Sequence, residues 1–356
     1  MRNVGKHGVL LLFSLMLCAL VLEGGVRLYS LFFFPRMMQL DDELGWKHVP
    51  NVSKEFENEL GERVTVVQNA YGDRGPERPL GKTPGKYRIL VVGDSFTEGV
   101  QVGEDDLFTA VLERSDPHLE VLNTGVGGYG TVQEYLYLER TGLKHNPDLV
   151  LLMVFDNDLT DNCLPAYPAF GPKPYAERHG AAIEIVRKPD AQEFLKYSIP
   201  VPFAQQLNKH SYFFYFLNTT VYQRLRGDRM RELIKQDMQS TDACGRYPVI
   251  FGVIDKVRAL TEAHGARLAL VLIPTREQAL KGASPSLQPI AQFCAERGMA
   301  CLSLVDRLAR EMESKPYLPT DIHWTKAGHR IAADEIARFL QGVIGQAPKE
   351  QNGNRG

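Results

Sequence analysis

Five short runs limit what this chain can become: "YRILVVG" at 87–93, "LEVLN" at 119–123, "DLVLLMVF" at 148–155, "RLALVLIP" at 267–274 and "ACLSL" at 300–304. The first is nearly continuous in apolar, β-branched residues, the pattern of a strand buried on both faces in a parallel sheet rather than half-exposed. Helical stretches fall between the runs, around Leu107–Arg114, 131–142, Val249–His264 and Leu287–Arg297, with a last one from Ala327 to Leu340. Strands that alternate with helices predict a mainly parallel sheet with helices on both faces. In such sheets ligands gather at the carboxyl ends of strands.

At 356 residues the chain has room for one large α/β domain plus appendages. The appendages come first. Arg2 and Lys6 precede an apolar run from Gly8 to Leu22, after which Glu23 and Arg27 interrupt before Leu28 to Phe34. The run alone is shorter than the roughly 20 residues that span hydrocarbon. Extended to Phe34 it is long enough, provided that Glu23 and Arg27 pair at i,i+4 or snorkel to the interface. The basic flank keeps the N-terminus cytoplasmic. "LVLEGGVRL" offers no small-residue cleavage site, and Leu17 before Cys18 is a poor lipoprotein signal, so residues 1–36 are read as an uncleaved signal anchor. Residues 37–86 form an irregular lead-in with β-like pieces such as "RVTVVQ", packed on a main domain at 87–345. Within that domain the alternation breaks at 159–245, where Pro165, Pro168, Pro172, Pro174, Pro200 and Pro202 accompany "YFFYF" at 212–216. This is too long for a plain loop and is expected to be a partly helical insertion. The tail at 346–356 is expected to be disordered.

A net charge of −2 gives no field to recruit nucleic acid. No C-x-x-C or His/Cys cluster suggests a structural zinc. Cys18 lies in the apolar run, which leaves Cys163, Cys244, Cys294 and Cys301 where disulfides persist after export. Cys163 and Cys244 bracket the insertion and are a reasonable pair, although four cysteines allow three full pairings.

Four strand ends carry chemistry. The first run leads into "GDSFTEG", which places Ser95 at a strand-to-helix turn, where Asp94 or Ser95 can equally serve as a helix cap. The second leads into "NTGVGGYGT". Gly125, Gly127 and Gly130 match a dinucleotide fingerprint literally, but the run follows the second strand, not the first, and Phe155 rather than an acid sits near the end of the next, although Asp156 follows. A tight loop whose backbone approaches a ligand is the better reading. The third leads into "FDNDLTDN", where Asn157 can donate to an oxyanion or close an Asx-turn. Near the C-terminus comes "PTDIHWTKAGH". In an extended segment Asp321 and His323 point the same way, so the carboxylate can orient the imidazole. His329 is read as structural.

These segments resemble the four blocks of the SGNH (GDSL-type) hydrolase superfamily. The resemblance covers roughly 87–340 and implies Ser95 as nucleophile, Gly128 as second-block glycine, Asn157 as third-block asparagine, and Asp321 and His323 as triad acid and base. The oxyanion would be held by the N–H groups of Ser95 and Gly128 and the Asn157 amide. It also implies a three-layer α/β/α, flavodoxin-like fold. Phe155 stands where the third block usually has glycine, and the last block is D-x-H where many members have D-x-x-H. That spacing, followed by Trp, resembles bacterial relatives associated with exopolysaccharide acetylation; the anchor and "NAYGDRG" resemble exported bacterial members.

The expected function is a serine esterase or O-acyltransferase at the periplasmic face of a bacterial inner membrane, acting on acyl groups, acetyl first among them, of a carbohydrate. It needs no metal or organic cofactor. One rival is a non-catalytic carbohydrate-binding component of a polysaccharide export system, against which the complete residue set argues. Another is a lipase or thioesterase, in which Phe213, Phe214 and Phe216 would line an acyl pocket rather than ordinary core. Peptide mapping without reduction is expected to leave Cys163 unalkylated; an alkylatable Cys163 removes the proposed bridge.

Overall fold

A computed structural model describes residues 2–33, 35–167, 170–188, 207, 209–222, 232 and 245–345. The tail at 346–356 and Cys244 lie outside the described residues. The first element, α1 (Arg2–Phe33), is a single helix. Its stretch Lys6–Ser30 has a mean hydropathy of 2.4 and is exposed over most of its length, with Ser30 at its end buried. At about 1.5 Å per residue this reaches about 37 Å, enough for a hydrocarbon core of roughly 30 Å, so length and composition make it a candidate membrane anchor. Glu23 and Arg27 do pair, at 2.6 Å.

The lead-in is more regular than the sequence suggests. It contains two antiparallel hairpins, β1 (Met38–Asp41) with β2 (Gly45–His48) and β3 (Val52–Glu57) with β4 (Arg63–Gln68). Along β4 burial alternates, with Val64 and Val66 turned inward.

The sheet comprises β5 (Tyr87–Val92), β6 (Leu119–Asn123), β7 (Leu149–Phe155), β12 (Arg267–Ile273) and β13 (Ala300–Ser303). Every pairing among them is parallel, in the order β13-β12-β7-β5-β6. Numbered along the chain this is the 2-1-3-4-5 order of flavodoxin-like sheets, and the expected α/β/α fold is present. The helices joining these strands are α2 (Ser95–Glu98), α3 (Phe108–Ser115), α4 (Thr131–Arg140), α5 (Asp158–Asp161), α7 (Arg246–Ala263), α8 (Arg276–Lys281), α9 (Gln288–Glu296), α10 (Val305–Arg310) and α11 (Lys326–Gly345).

Strand periodicity divides the core. Ile89, Val91, Leu151, Met153 and Val271 pack against α3, α10 and α11 through Phe108, Leu112, Leu308 and Ile336. Leu90, Val92, Val150, Leu152 and Leu270 face the opposite way, onto Leu138, Ile250, Ile254 and Ile290. A third cluster joins Leu44 and Trp46 of the lead-in to Val132 and Leu136 of α4.

The insertion, where it is described, is partly helical and partly β. Its first part adds short strands, with β8 (Ala166–Tyr167) paired to β9 (Gly171–Pro172) and β10 (Tyr175–His179) to β11 (Ala182–Val186). The proline-rich sequence suits such short two-stranded pieces, where few ladder hydrogen bonds are lost. The aromatic run forms α6 (Tyr212–Leu217), continued by a π-turn over Asn218–Tyr222. Cys163 is disulfide-bonded, whereas Cys18, Cys294 and Cys301 are free thiols.

One buried cation joins these layers. Arg88 donates to Glu120 at 2.7 Å and to the carbonyls of His145, Leu80 and Gly81 at 2.6, 2.8 and 3.0 Å. Both members of the pair are almost fully buried. Arg88→Ala leaves an uncompensated carboxylate inside the protein and is expected to cost about 3–5 kcal/mol, read as a lowered urea midpoint.

Candidate active site

β5 and β7 are hydrogen-bonded neighbours, although β6 lies between them in the chain. The sheet therefore reverses its winding at this pair, and a crevice opens beyond the carboxyl ends of the two strands. β5 delivers Gly93, Asp94 and Ser95 there. Asp94 caps α2, accepting the Phe96 N–H at 2.9 Å, so the cap is Asp94 and the Ser95 hydroxyl is left for other use. Gly93 is needed for space rather than for a left-handed turn: a Cβ there would lie 2.2 Å from Thr97 Oγ1 and 2.9 Å from Met153 Cβ.

His323 Nε2 lies 2.7 Å from Ser95 Oγ. Its Nδ1 is held by the carboxylate of Asp321. With the Nδ1 proton donated to Asp321, Nε2 carries the lone pair that accepts from the serine. The pair adjoins for a reason other than the one its spacing suggests. Residues 319–323 form a bend, not a strand. The Asp321 carboxylate also accepts the His323 backbone N–H at 3.1 Å, an Asx-type turn that folds the side chain over its own loop. Glu59, from the β3–β4 connection, holds this loop by accepting the N–H groups of Thr320 and Asp321 at 2.9 and 3.1 Å. His329 is structural, as read: it is buried, it faces Phe108, and burial first, then Arg74 and His323, bring it down to about 3.

The glycine loop is fixed by groups the motif does not contain. Glu98, at the end of α2, accepts the Gly127 N–H at 2.8 Å and sits 2.9 Å from His48 Nε2. The Trp46 indole donates to the Gly127 carbonyl at 3.0 Å. That carbonyl and the Gly128 N–H share one trans peptide and point in opposite directions. Holding the first at Trp46 therefore turns the second away from it. Gly128 has φ +79°, which glycine adopts without steric cost. Among the described residues, neither the Ser95 nor the Gly128 N–H has an internal acceptor. Burial pushes the Glu98 carboxyl up, yet His48, Arg74 and the Gly127 N–H hold it below its ordinary value.

Asn157 ends β7 with its amide Nδ2 2.8 Å from Asp161, and its Oδ1 buried without a partner. The Asx-turn alternative is absent: the side chain makes no capping bond to α5. Phe155 donates its N–H to Asp158 at 2.9 Å and packs on Phe96 at 4.5 Å, so a bulky residue is accommodated where the family motif has glycine. Beneath the crevice lies a set of buried acids that the sequence did not reveal. Burial raises Asp94 to about 7 and Asp161 to about 6, and it also raises Glu134 and Asp158. Lys173, equally buried, is brought down to about 8 and donates to the Asp161 carbonyl.

Ser95, Gly128 and His323 open into a cavity of about 490 Å³ whose walls are mostly apolar, with Met38, Phe56, Tyr167 and Phe170 on one side and α6 on another. Of the aromatics expected to line an acyl pocket, Phe216 does so, alongside Tyr212 and Tyr215. Among the described residues no cluster of three His, Cys, Asp or Glu side chains is disposed to hold a metal ion.

Residues 91–331 match the model of the GDSL-like lipase/acylhydrolase family. No curated protein matches the chain. Among solved structures it is similar to a two-domain esterase active on acetylated mannans, with 13% identity and a TM-score of 0.39, covering 74% of this chain and 51% of that one. The chain thus spans about half the length of that enzyme. It is also similar to the acetyl xylan esterase AlAXEase (15% identity, TM-score 0.40, 72% of this chain and 100% of that one). A catalytic mutant of an acetylxylan esterase from Geobacillus stearothermophilus is a third (12% identity, TM-score 0.40, 72% and 95%).

The buried acids make stability depend on pH. Asp94 moves from 3.8 to about 7 on folding, so the folded state favours its protonated form. Its stabilising contribution is complete below the ordinary carboxylate range and is lost as pH rises towards 7. The unfolding midpoint is expected to fall between pH 5 and pH 8. Asp94→Asn, which keeps an oxygen for the Phe96 N–H, is expected to shrink that fall in a thermal-shift series. An unchanged profile would mean that Asp94 is already ionised at pH 5.

Proposed function

Because the chain belongs to the GDSL-like lipase/acylhydrolase family, we propose that it is a serine esterase or O-acyltransferase acting, through an acyl-enzyme on Ser95, on ester-linked acyl groups of an extracytoplasmic carbohydrate. The 2.7 Å contact between Ser95 Oγ and His323 Nε2 carries the reading. A serine hydroxyl is a weak nucleophile until a base within hydrogen-bond reach can take its proton.

Ser95 Oγ attacks the ester carbonyl while His323 Nε2 takes the proton, and Asp321 stabilises the imidazolium that forms. The carbonyl oxygen becomes an oxyanion. Its donors are the N–H groups of Ser95 and Gly128, both without acceptors among the described residues, and the second amide hydrogen of Asn157. His323 returns its proton to the departing alkoxide, which leaves as the alcohol. Water then resolves the acyl-enzyme in hydrolysis; a sugar hydroxyl does so in transfer. The basic flank and apolar span of α1 support placing this domain outside the cytoplasm. An acetylated carbohydrate as substrate rests on the likeness of the "DIHW" segment to relatives associated with exopolysaccharide acetylation, and export on that of "NAYGDRG" to exported members.

Ser95→Ala is expected to abolish turnover of p-nitrophenyl acetate by the full-length protein in detergent. Asn157→Ala is expected to lower kcat by about two to three orders of magnitude with little change in melting temperature. An unchanged rate in the first variant overturns the mechanism, and in the second it removes Asn157 from the oxyanion site.

A further inference from the structure

The end of the apolar helix forms one wall of the Ser95 cavity. Val26, Tyr29 and Ser30 of α1 line it together with Tyr212, Tyr215 and Phe216 of α6. The contact between these helices is built rather than incidental. Glu23 of α1 accepts the Tyr212 and Phe213 N–H groups at 3.0 Å each and the Ser211 hydroxyl at 2.7 Å. Arg27 donates to the His210 carbonyl at 2.8 Å, and its guanidinium lies 5.0 Å from the centre of the Tyr212 ring. The two charges that interrupt the apolar span are therefore the ones that hold the insertion against it.

Several observations set the level of this wall. The candidate span ends at Ser30, so Val26, Tyr29 and Ser30 occupy its last turns, at the outer membrane interface if α1 crosses with its basic flank inside. Tyr29, Tyr212 and Tyr215 suit that depth, where tyrosine is enriched. Leu207, Phe216, Leu217 and Val221 of the insertion are exposed, as is the apolar surface of α1. A cavity of about 490 Å³ is much larger than an acetyl group requires. Arg36 crosses the same wall over the Tyr215 ring. Its Nη2 is buried without a partner among the described residues, a donor for a polar group beside the chain.

We infer that the cavity takes its ester from the membrane: an amphiphile whose aliphatic acyl chain lies between α1 and α6 while its carbonyl reaches Ser95. This rests on the acyl-enzyme chemistry proposed above and goes beyond its acetylated-carbohydrate reading in the class of ester it names. The apolar helix is then part of the binding site as well as a tether. A fragment beginning after it lacks a wall.

The test uses the full-length protein in phospholipid nanodiscs, assayed on p-nitrophenyl acetate and p-nitrophenyl octanoate. The wild type is expected to show a kcat/KM at least about tenfold higher on octanoate, since a methylene in a hydrophobic pocket changes selectivity by about that factor or more. Val26→Trp fills the α1 wall and is expected to lower the octanoate-to-acetate ratio at least about tenfold. Phe216→Trp, on the α6 wall, is expected to lower the same ratio and stands in should the first variant fail to insert. A wild type that prefers acetate, or a ratio unmoved by the wall variants, overturns the inference while leaving the serine mechanism intact. Acetate turnover that survives Ser95→Ala overturns the mechanism itself, and the inference with it.

Discussion

The parallel pairing of β5 with β7 is the constraint on which the site depends. Ile89 lies opposite Leu149 and Val92 opposite Leu152, and both strands are buried on both faces. A one-residue slip would exchange the side chains packed on the α3/α11 layer for those packed on the α4/α7 layer. The register is thus held by two cores at once. It brings the end of β5 beside the last turn of β7, and Ser95 and Asn157 emerge from adjacent strands without any direct bond between them. The reversal of winding at this pair opens the crevice that the glycine loop and the Asp321–His323 loop enter from elsewhere.

Buried polar groups then position what the sheet delivers. Glu98 ties α2 to the Gly127 peptide and, through His48, to the lead-in. Arg74 donates to the carbonyls of Glu98, Gly99 and Val102 at 2.9, 2.9 and 2.8 Å. A buried carboxylate is tolerable only with such partners, because an unpaired charge in this environment would neutralise itself. The lead-in is accordingly part of the site rather than a spacer. Trp46 holds the Gly127 peptide beside Ser95, and Glu59 holds the loop that carries Asp321 and His323.

Much of the fold was legible because burial on both faces leaves an unbroken apolar run in the sequence, and because the helices that cover it repeat at 3.6 residues. Ser95, Gly128 and Asn157 were legible as short blocks at strand ends, and Asp321 and His323 as a D-x-H pair, although their loop follows α10 rather than a strand. The reasons were less legible than the residues. Asp321 and His323 adjoin through an Asx-type turn, which a two-residue spacing does not distinguish from a strand. Gly93 looks like an ordinary turn glycine in the sequence, but Thr97 and Met153 crowd it. Glu98, Trp46 and Glu59 left no signal: each is an ordinary residue until its distant partner is known, and those partners lie 29, 81 and 261 residues away. The short hairpins in the first part of the insertion were not foreseen, because proline marks the end of regular structure without stating whether short hairpins or helices follow.

The sequence by itself determined the sheet and the order of the four motif blocks with the side-chain types each carries, because periodicity and side-chain type are local properties that survive in one dimension. Tertiary structure alone decided which backbone N–H groups beside Ser95 lack an acceptor among the described residues, how acidic the buried carboxylates are, and that the end of the apolar N-terminal helix lines the cavity beside Ser95. Each of these depends on desolvation and on contacts between segments far apart in the chain, and no local pattern encodes a distance between two such segments.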